Sequence, residues 1–179
     1  MWRDGQRECD HLAVEEIRES PDGPALKFVH VDEVPAQEVV AQLHGARRVG
    51  VHLKFLEWTK DRMVAFTYYD PGLILERHAH SSDALIFIIE GDVTVGDHPC
   101  PAGTLIVLEK GAAFGPLVAG PNGCTFLECY GDDVRPVPVD KDAYFDLLAE
   151  QGISRLPNPV WEAPPGAPVV ERGEADTWS

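Results

Sequence analysis

From Val49 to Tyr130 the chain is written in short apolar runs, each cut off by Gly, Pro, Asn or Asp. That punctuation limits the fold more than any other feature. Val49–Trp58 and Met63–Tyr69 flank Thr59-Lys60-Asp61-Arg62, which suits a hairpin turn, and Asp70-Pro71-Gly72 makes a further turn. Leu73–His80, Leu85–Glu90, Val93–Val95, Thr104–Glu109 and Cys124–Tyr130 follow as strands. The stretch Gly115–Gly123, rich in Gly and Pro, reads as a connection that rims one end. Many short strands with turn residues between them predict an antiparallel sandwich or small barrel. Leu85–Ile89 is apolar on both faces. One face lines the interior, and the other needs a second sheet, an arm or a partner subunit to cover it.

The flanks read differently. Residues 1–25 are polar, with the turn cluster Ser20–Pro24, and form a lead-in arm. Leu26–Val31 reads as a short strand. Asp32 then caps a helix over about Val34–His44, with Pro35 in its first turn and Gly45 as its stop. Val39, Val40 and Leu43 supply that helix with an apolar stripe. Asp140–Gln151 is the clearest helix, capped by Asp140 and stopped by Gly152. The proline-rich tail from Leu156 is an extended arm that orders where Trp161 finds a groove. The division expected is an arm over 1–47, a barrel over 48–139, and a helix with tail over 140–179.

Thirty acidic against fifteen basic residues give a net charge of −15, which disfavours nucleic acid and anionic membranes as partners. No apolar run approaches the ~20 residues of a membrane-spanning helix, and no secretory leader is visible. Cys9, Cys100, Cys124 and Cys129 lack C-x-x-C spacing, so they read as reduced thiols of a cytoplasmic protein.

The chemistry concentrates in Pro71–Gly91. His78 and His80 stand two residues apart in an extended run, so both side chains share one face. Gly72, five residues, His78-Ala79-His80 and then Gly91 resemble the first sequence motif of the cupin superfamily. Pro101-Ala102-Gly103-Thr104, the run Leu105–Glu109 and the turn Lys110-Gly111 resemble part of the second. The resemblance covers roughly Val49–Tyr130. It implies an all-β, jelly-roll barrel that often dimerises and commonly holds one divalent ion (Fe, Mn, Ni, Zn or Cu) through three His and one Glu. Cupin activities include dioxygenases, isomerases, decarboxylases and lyases, and some members are not enzymes. Two of the four usual ligand positions depart from the pattern: the Glu falls on Ala84 and the last His on Phe114.

Two imidazoles alone hold a metal weakly, since catalytic sites offer about three protein ligands plus water. Candidates for the third are Glu76, which shares its parity with Ile74, His78 and His80; Asp83, one residue before the lost Glu; and Glu128 in Phe126–Tyr130. Glu76 is alternatively an orienting partner for an imidazole, Asp83 a turn-capping carboxylate, and Glu128 a polar group at the barrel mouth. Phe114 makes one pocket wall apolar, and Tyr68 stands on a neighbouring strand. His98 reads as an exposed turn histidine.

The first expectation is therefore a small cupin enzyme with a divalent ion (Fe, Mn, Ni or Zn) on His78 and His80, helped by Glu76 or Asp83. It would transform a small organic substrate, dioxygenase-like first and isomerase- or lyase-like second. Two others stand beside it. One is a non-catalytic small-molecule binder; the other is a metal-free, cyclase-type enzyme with a histidine as acid–base and Glu76 orienting it. A homodimer is expected from the two-faced run and the resemblance.

Overall fold

The computed structural model describes residues 26–132, 134–165 and 167–168. Cys9, His11 and the Ser20–Pro24 cluster lie outside them. Among the described residues eleven strands and one α-helix follow in chain order: β1 (Gln37–His44), β2 (Arg47–Trp58), β3 (Met63–Tyr69), β4 (Ile74–Leu75), β5 (His78–His80) and β6 (Ala84–Val95). After these come β7 (His98–Pro101), β8 (Leu105–Leu108), β9 (Leu117–Tyr130), β10 (Pro136–Pro138), α1 (Lys141–Glu150) and β11 (Ile153–Arg155). The main sheet runs β11-β1-β2-β3-β9-β6-β7, with β4 on β9 and β8 on β6, while β10 and β5 pair apart. Every pairing between these strands is antiparallel. The all-β jelly-roll architecture expected of the chain is the one observed.

Alternation fixes what faces inward. Along β3, Met63, Ala65, Thr67 and Tyr69 are buried while the residues between them are half-exposed. Along β6, Ala84, Ile86 and Ile88 are buried, whereas Leu85, Phe87 and Ile89 are 44–47% exposed. Gly91 turns β6 over β9. Its φ is +73°, and a Cβ there would stand 2.1 Å from the Gly123 carbonyl oxygen, so no side chain fits.

Several flank expectations are overturned. Residues 37–44 form strand β1 rather than a helix, because pairing with β2 captures them. Gly45, expected as a helix stop, has φ +64° in the tight turn between β1 and β2. Leu26–Val31 is not a strand; a single 3-10 turn spans Val31–Glu33, capped by His30 rather than Asp32. Most of Gly115–Gly123 belongs to β9 instead of a loop. Within it, Gly120–Gly123 bulge out between the Gly91↔Cys124 and Val93↔Ala119 pairs, which is where Gly and Pro do no harm to the ladder.

The expected helix is present as α1. Asp140 Oδ1 accepts the Ala143 N–H at 3.0 Å and caps it. Tyr144 and Leu148 bury themselves against Ile74. Gln42, with no exposed surface, ties the pieces together: its Nε2 donates to the Ile74 carbonyl and to the Tyr144 hydroxyl. Beyond α1, β11 returns to pair with β1, and Trp161 stacks on Phe55 and Trp58 at 5.4 and 5.9 Å.

Candidate functional site

The run expected as one strand, Leu73–His80, is broken in two. β4 ends at Leu75, and β5 begins at His78 with different neighbours: β10 on one side and Phe114 on the other. The break changes the parity argument. Ile74 packs outward against α1, while Leu75 and Glu76 both line the interior. Glu76 thus reaches the same cavity as His78 and His80, but not as a member of one regular face.

That cavity has a volume of about 320 Å³ and lies inside the barrel. Val51, Phe55, Trp58 and Met63 belong to its apolar lining. Thr67, Tyr69, Glu128 and Tyr130 make a polar patch on the neighbouring strands β3 and β9. His78, His80 and Phe114 stand together, and Arg135, Arg155 and Trp161 lie where the chain beyond the barrel adds to the wall.

The histidines are anchored by the main chain. Nδ1 of His78 is 2.9 Å from the Glu76 carbonyl oxygen, and Nδ1 of His80 is 3.0 Å from that of Val134. A carbonyl only accepts, so each Nδ1 carries the proton and Nε2 is the basic nitrogen of each neutral ring. The rings stand 5.0 Å apart and nearly perpendicular. Phe114 packs 4.5 Å from His78 and 5.9 Å from His80, so an aromatic ring occupies the neighbourhood in which the resemblance places a third imidazole. Burial lowers the His78 pKa, opposed by the hydrogen bond to the Glu76 carbonyl and by the Glu76 charge.

Glu128 is 7% exposed, and its Oε1 accepts the Tyr130 hydroxyl at 2.7 Å while Oε2 accepts that of Thr67. Burial raises its pKa, and those two hydrogen bonds pull the other way. Burial first, then the charge of Glu128, lift the Tyr130 phenol well above its ordinary value.

Two expected site residues fall away from the cavity. Asp83 is exposed, and its Oδ1 accepts the Lys110 N–H at 2.7 Å, a turn cap rather than a ligand. Tyr68 lies on the outer face of β3, its ring 6.1 Å from that of His52, because its neighbours Thr67 and Tyr69 take the inward positions. Thr67, Tyr69 and Tyr130 are the site residues that motif reasoning missed. Parity was the available signal for Tyr130, two residues beyond Glu128. No sequence signal brings Arg155 there, since β11 comes to the wall by pairing with the sequence-distant β1.

The ChrR cupin-like domain family matches residues 21–132, well over half of the chain. This protein belongs to that family. None of the curated proteins compared with this cupin matches it. Among solved structures, the polyketide cyclase RemF from Streptomyces resistomycificus is similar with a TM-score of 0.55 at 19% identity, over 71% of this chain and 96% of that one. A putative acetylacetone dioxygenase from Methylibium petroleiphilum PM1 has a TM-score of 0.54 at 15% identity, over 74% and 99%. At such identities the likeness establishes the cupin fold. No helix among the described residues is long and apolar enough to cross a membrane.

Cupins commonly hold a divalent metal, which needs about three protein donors around one ion. The fit is poor. Ala84 offers a methyl group and Phe114 a phenyl ring, Asp83 points elsewhere, and both oxygens of Glu128 are taken by hydroxyls. Among the described residues no group of three or more His, Cys, Asp or Glu side chains is placed to hold an ion.

Proposed function

We propose that this cupin binds a small, largely apolar organic molecule inside the barrel and acts on it by metal-free acid–base chemistry at His78 and His80. The observation that carries this reading is the anchoring of the pair. Each Nδ1–H is spent on a main-chain carbonyl, which leaves Nε2 as the proton acceptor, and Phe114 backs both rings where a further ligand would be needed. Burial holds His78 neutral in the neutral pH range, the state a general base requires. The apolar walls take the body of the substrate and exclude water from the histidines. Glu76, through its carbonyl, orients His78. Proton transfer of the cyclase or isomerase type suits such a site; a binding module without turnover is the same cavity with no reaction.

Metal-dependent, dioxygenase-like oxidation is the second reading. What supports it is that two imidazoles stand side by side and Glu76 lines the same cavity. Metal analysis of protein purified without a histidine tag, beside His78→Ala and His80→Ala, decides between the two. Substoichiometric metal that neither substitution changes is expected. Stoichiometric metal lost in both variants would overturn the metal-free reading.

A homodimer is part of the proposal. It is supported by the outer face of β6 and β8, where Leu85, Phe87, Ile89, Leu105 and Val107 are 44–64% exposed in one patch. A cytoplasmic setting is supported by Cys100, Cys124 and Cys129 being free thiols.

A further inference from the structure

Glu128 and its hydroxyl partners are not used by the chemistry assigned to the histidines, yet they form a built polar patch in the cavity wall. The carboxyl group is paired with no Lys, Arg or His among the described residues. Around it stand Thr67 and Tyr69 on β3, Tyr130 on its own strand, and the His80 ring, 4.6 Å from that of Tyr130, on β5. Cys129 lies on the opposite face of β9, and the Glu76 charge reaches Tyr69. Arg135 and Arg155 also line the cavity, but neither forms an ion pair with Glu128, and the groups that act on its carboxyl are burial and the two hydroxyls. A carboxylate in such a place costs several kcal/mol unless it is paired, so the neutral acid is favoured.

The proton count then has a consequence. Thr67, Glu128 and Tyr130 together carry three O–H protons when the carboxyl is neutral. They are joined by two hydrogen bonds, Thr67 to Glu128 and Glu128 to Tyr130, and no other partner of these side chains is recorded among the described residues. One O–H is therefore left over, and all three residues line the cavity. Ionised Glu128 would leave none, since two protons would serve two bonds.

We infer that the Thr67–Glu128–Tyr130 chain presents one O–H donor to the cavity, and that the ligand is a carbonyl compound whose oxygen accepts it. This rests on the reading of the cavity as a site for a small organic molecule, and it names the class of that molecule. Apart from the histidines, Glu76, Arg135 and Arg155, most of the remaining wall is apolar and aromatic, so much of the ligand is hydrocarbon in character, flat enough to lie among Phe55, Trp58 and Trp161. A site built to bond an oxygen discriminates against the analogue that lacks it, because the donor is then buried with no acceptor.

Indane and 1-indanone share a carbon skeleton and differ by one carbonyl, and Trp58 and Trp161 in the wall report binding by fluorescence. The expected result is that 1-indanone binds about tenfold tighter than indane at pH 5, the worth of one net hydrogen bond. That preference shrinks as pH rises and Glu128 ionises. In Glu128→Gln, which keeps an N–H donor and cannot ionise, the preference persists across the range apart from the share that protonation of His78 contributes on the acid side. Equal binding of the two probes at every pH overturns the inference and leaves the pocket reading standing. So does an identical decline in Glu128→Gln, which assigns the effect to the histidines. Binding of neither probe overturns the pocket reading together with the inference. Should Glu128→Gln fail to fold, the infrared carbonyl band of bound 1-indanone serves in the wild type. A shift to lower wavenumber relative to alkane solution is expected, and an unshifted band overturns the donor.

Discussion

The barrel holds two polar clusters that are fixed in different ways. His78 and His80 are oriented by main-chain carbonyls of Glu76 and Val134. Glu128 is oriented by side chains alone, the hydroxyls of Thr67 and Tyr130. A carbonyl anchor survives a change of the side chain that shares its residue; a hydroxyl anchor is lost with a single substitution. The histidine cluster is thus firm in orientation and poor in ligands, and the carboxyl cluster is held at both oxygens but depends on each partner.

The largest test of that contrast supplies what the histidines lack. Ala84→Glu combined with Phe114→His restores the carboxylate and the imidazole that the cupin pattern places there. Zinc affinity, followed by competition with a chelating dye, is expected to rise about a hundredfold or more. An unchanged affinity would mean that the two Nε2 atoms do not face the volume those positions border.

A smaller effect separates the anchors. Tyr130→Phe leaves Glu128 Oε1 without its donor and should cost about 1–3 kcal/mol in urea unfolding. Glu76→Gln keeps the carbonyl that holds His78 and should cost less than Tyr130→Phe in the same measurement. Equal losses would erase the distinction between main-chain and side-chain anchoring.

The smallest effect is in the pH dependence of stability, where the clusters have opposite signs. The His78 pKa is lowered in the folded state, so its share of stability is lost as pH falls below the ordinary 6.5 toward the folded value. The Glu128 pKa is raised, so the folded state holds its proton longer. Stability falls as pH rises above the ordinary 4.5 toward the folded value. His78→Asn should flatten the acid-side fall and Glu128→Gln the other, both read from thermal midpoints across pH. A slope at either end that survives its substitution assigns it to another group.

Much of the barrel was legible because its signals are local. The boundaries of β3 and the capping of α1 follow from alternation, turn residues and an Asp at the N-cap, each of which acts within a few residues. The segment Gln37–His44 was misread as a helix for an equally physical reason. Val39, Val40 and Leu43 fit a helical stripe as well as a strand, and the edge of β2 made the choice. The motif located His78 and His80, but assigning Glu76 by parity assumed one continuous strand, and that strand breaks after Leu75.

What the chain encoded by itself was the barrel, the histidine pair, and the two ligand positions given over to Ala84 and Phe114. Those are matters of residue type, spacing and punctuation. Only the folded structure decided that Asp83 caps a turn, that Tyr68 faces outward while Tyr69 faces in, and that Glu128 meets Thr67 across sixty-one positions of sequence. It also decided the nitrogen each histidine turns to the cavity, because the carbonyl holding His80 comes from Val134, on the segment leading to β10. Alternation and turns act along the chain, whereas hydrogen-bond partners in a barrel wall come from strands that meet only once the sheet has closed.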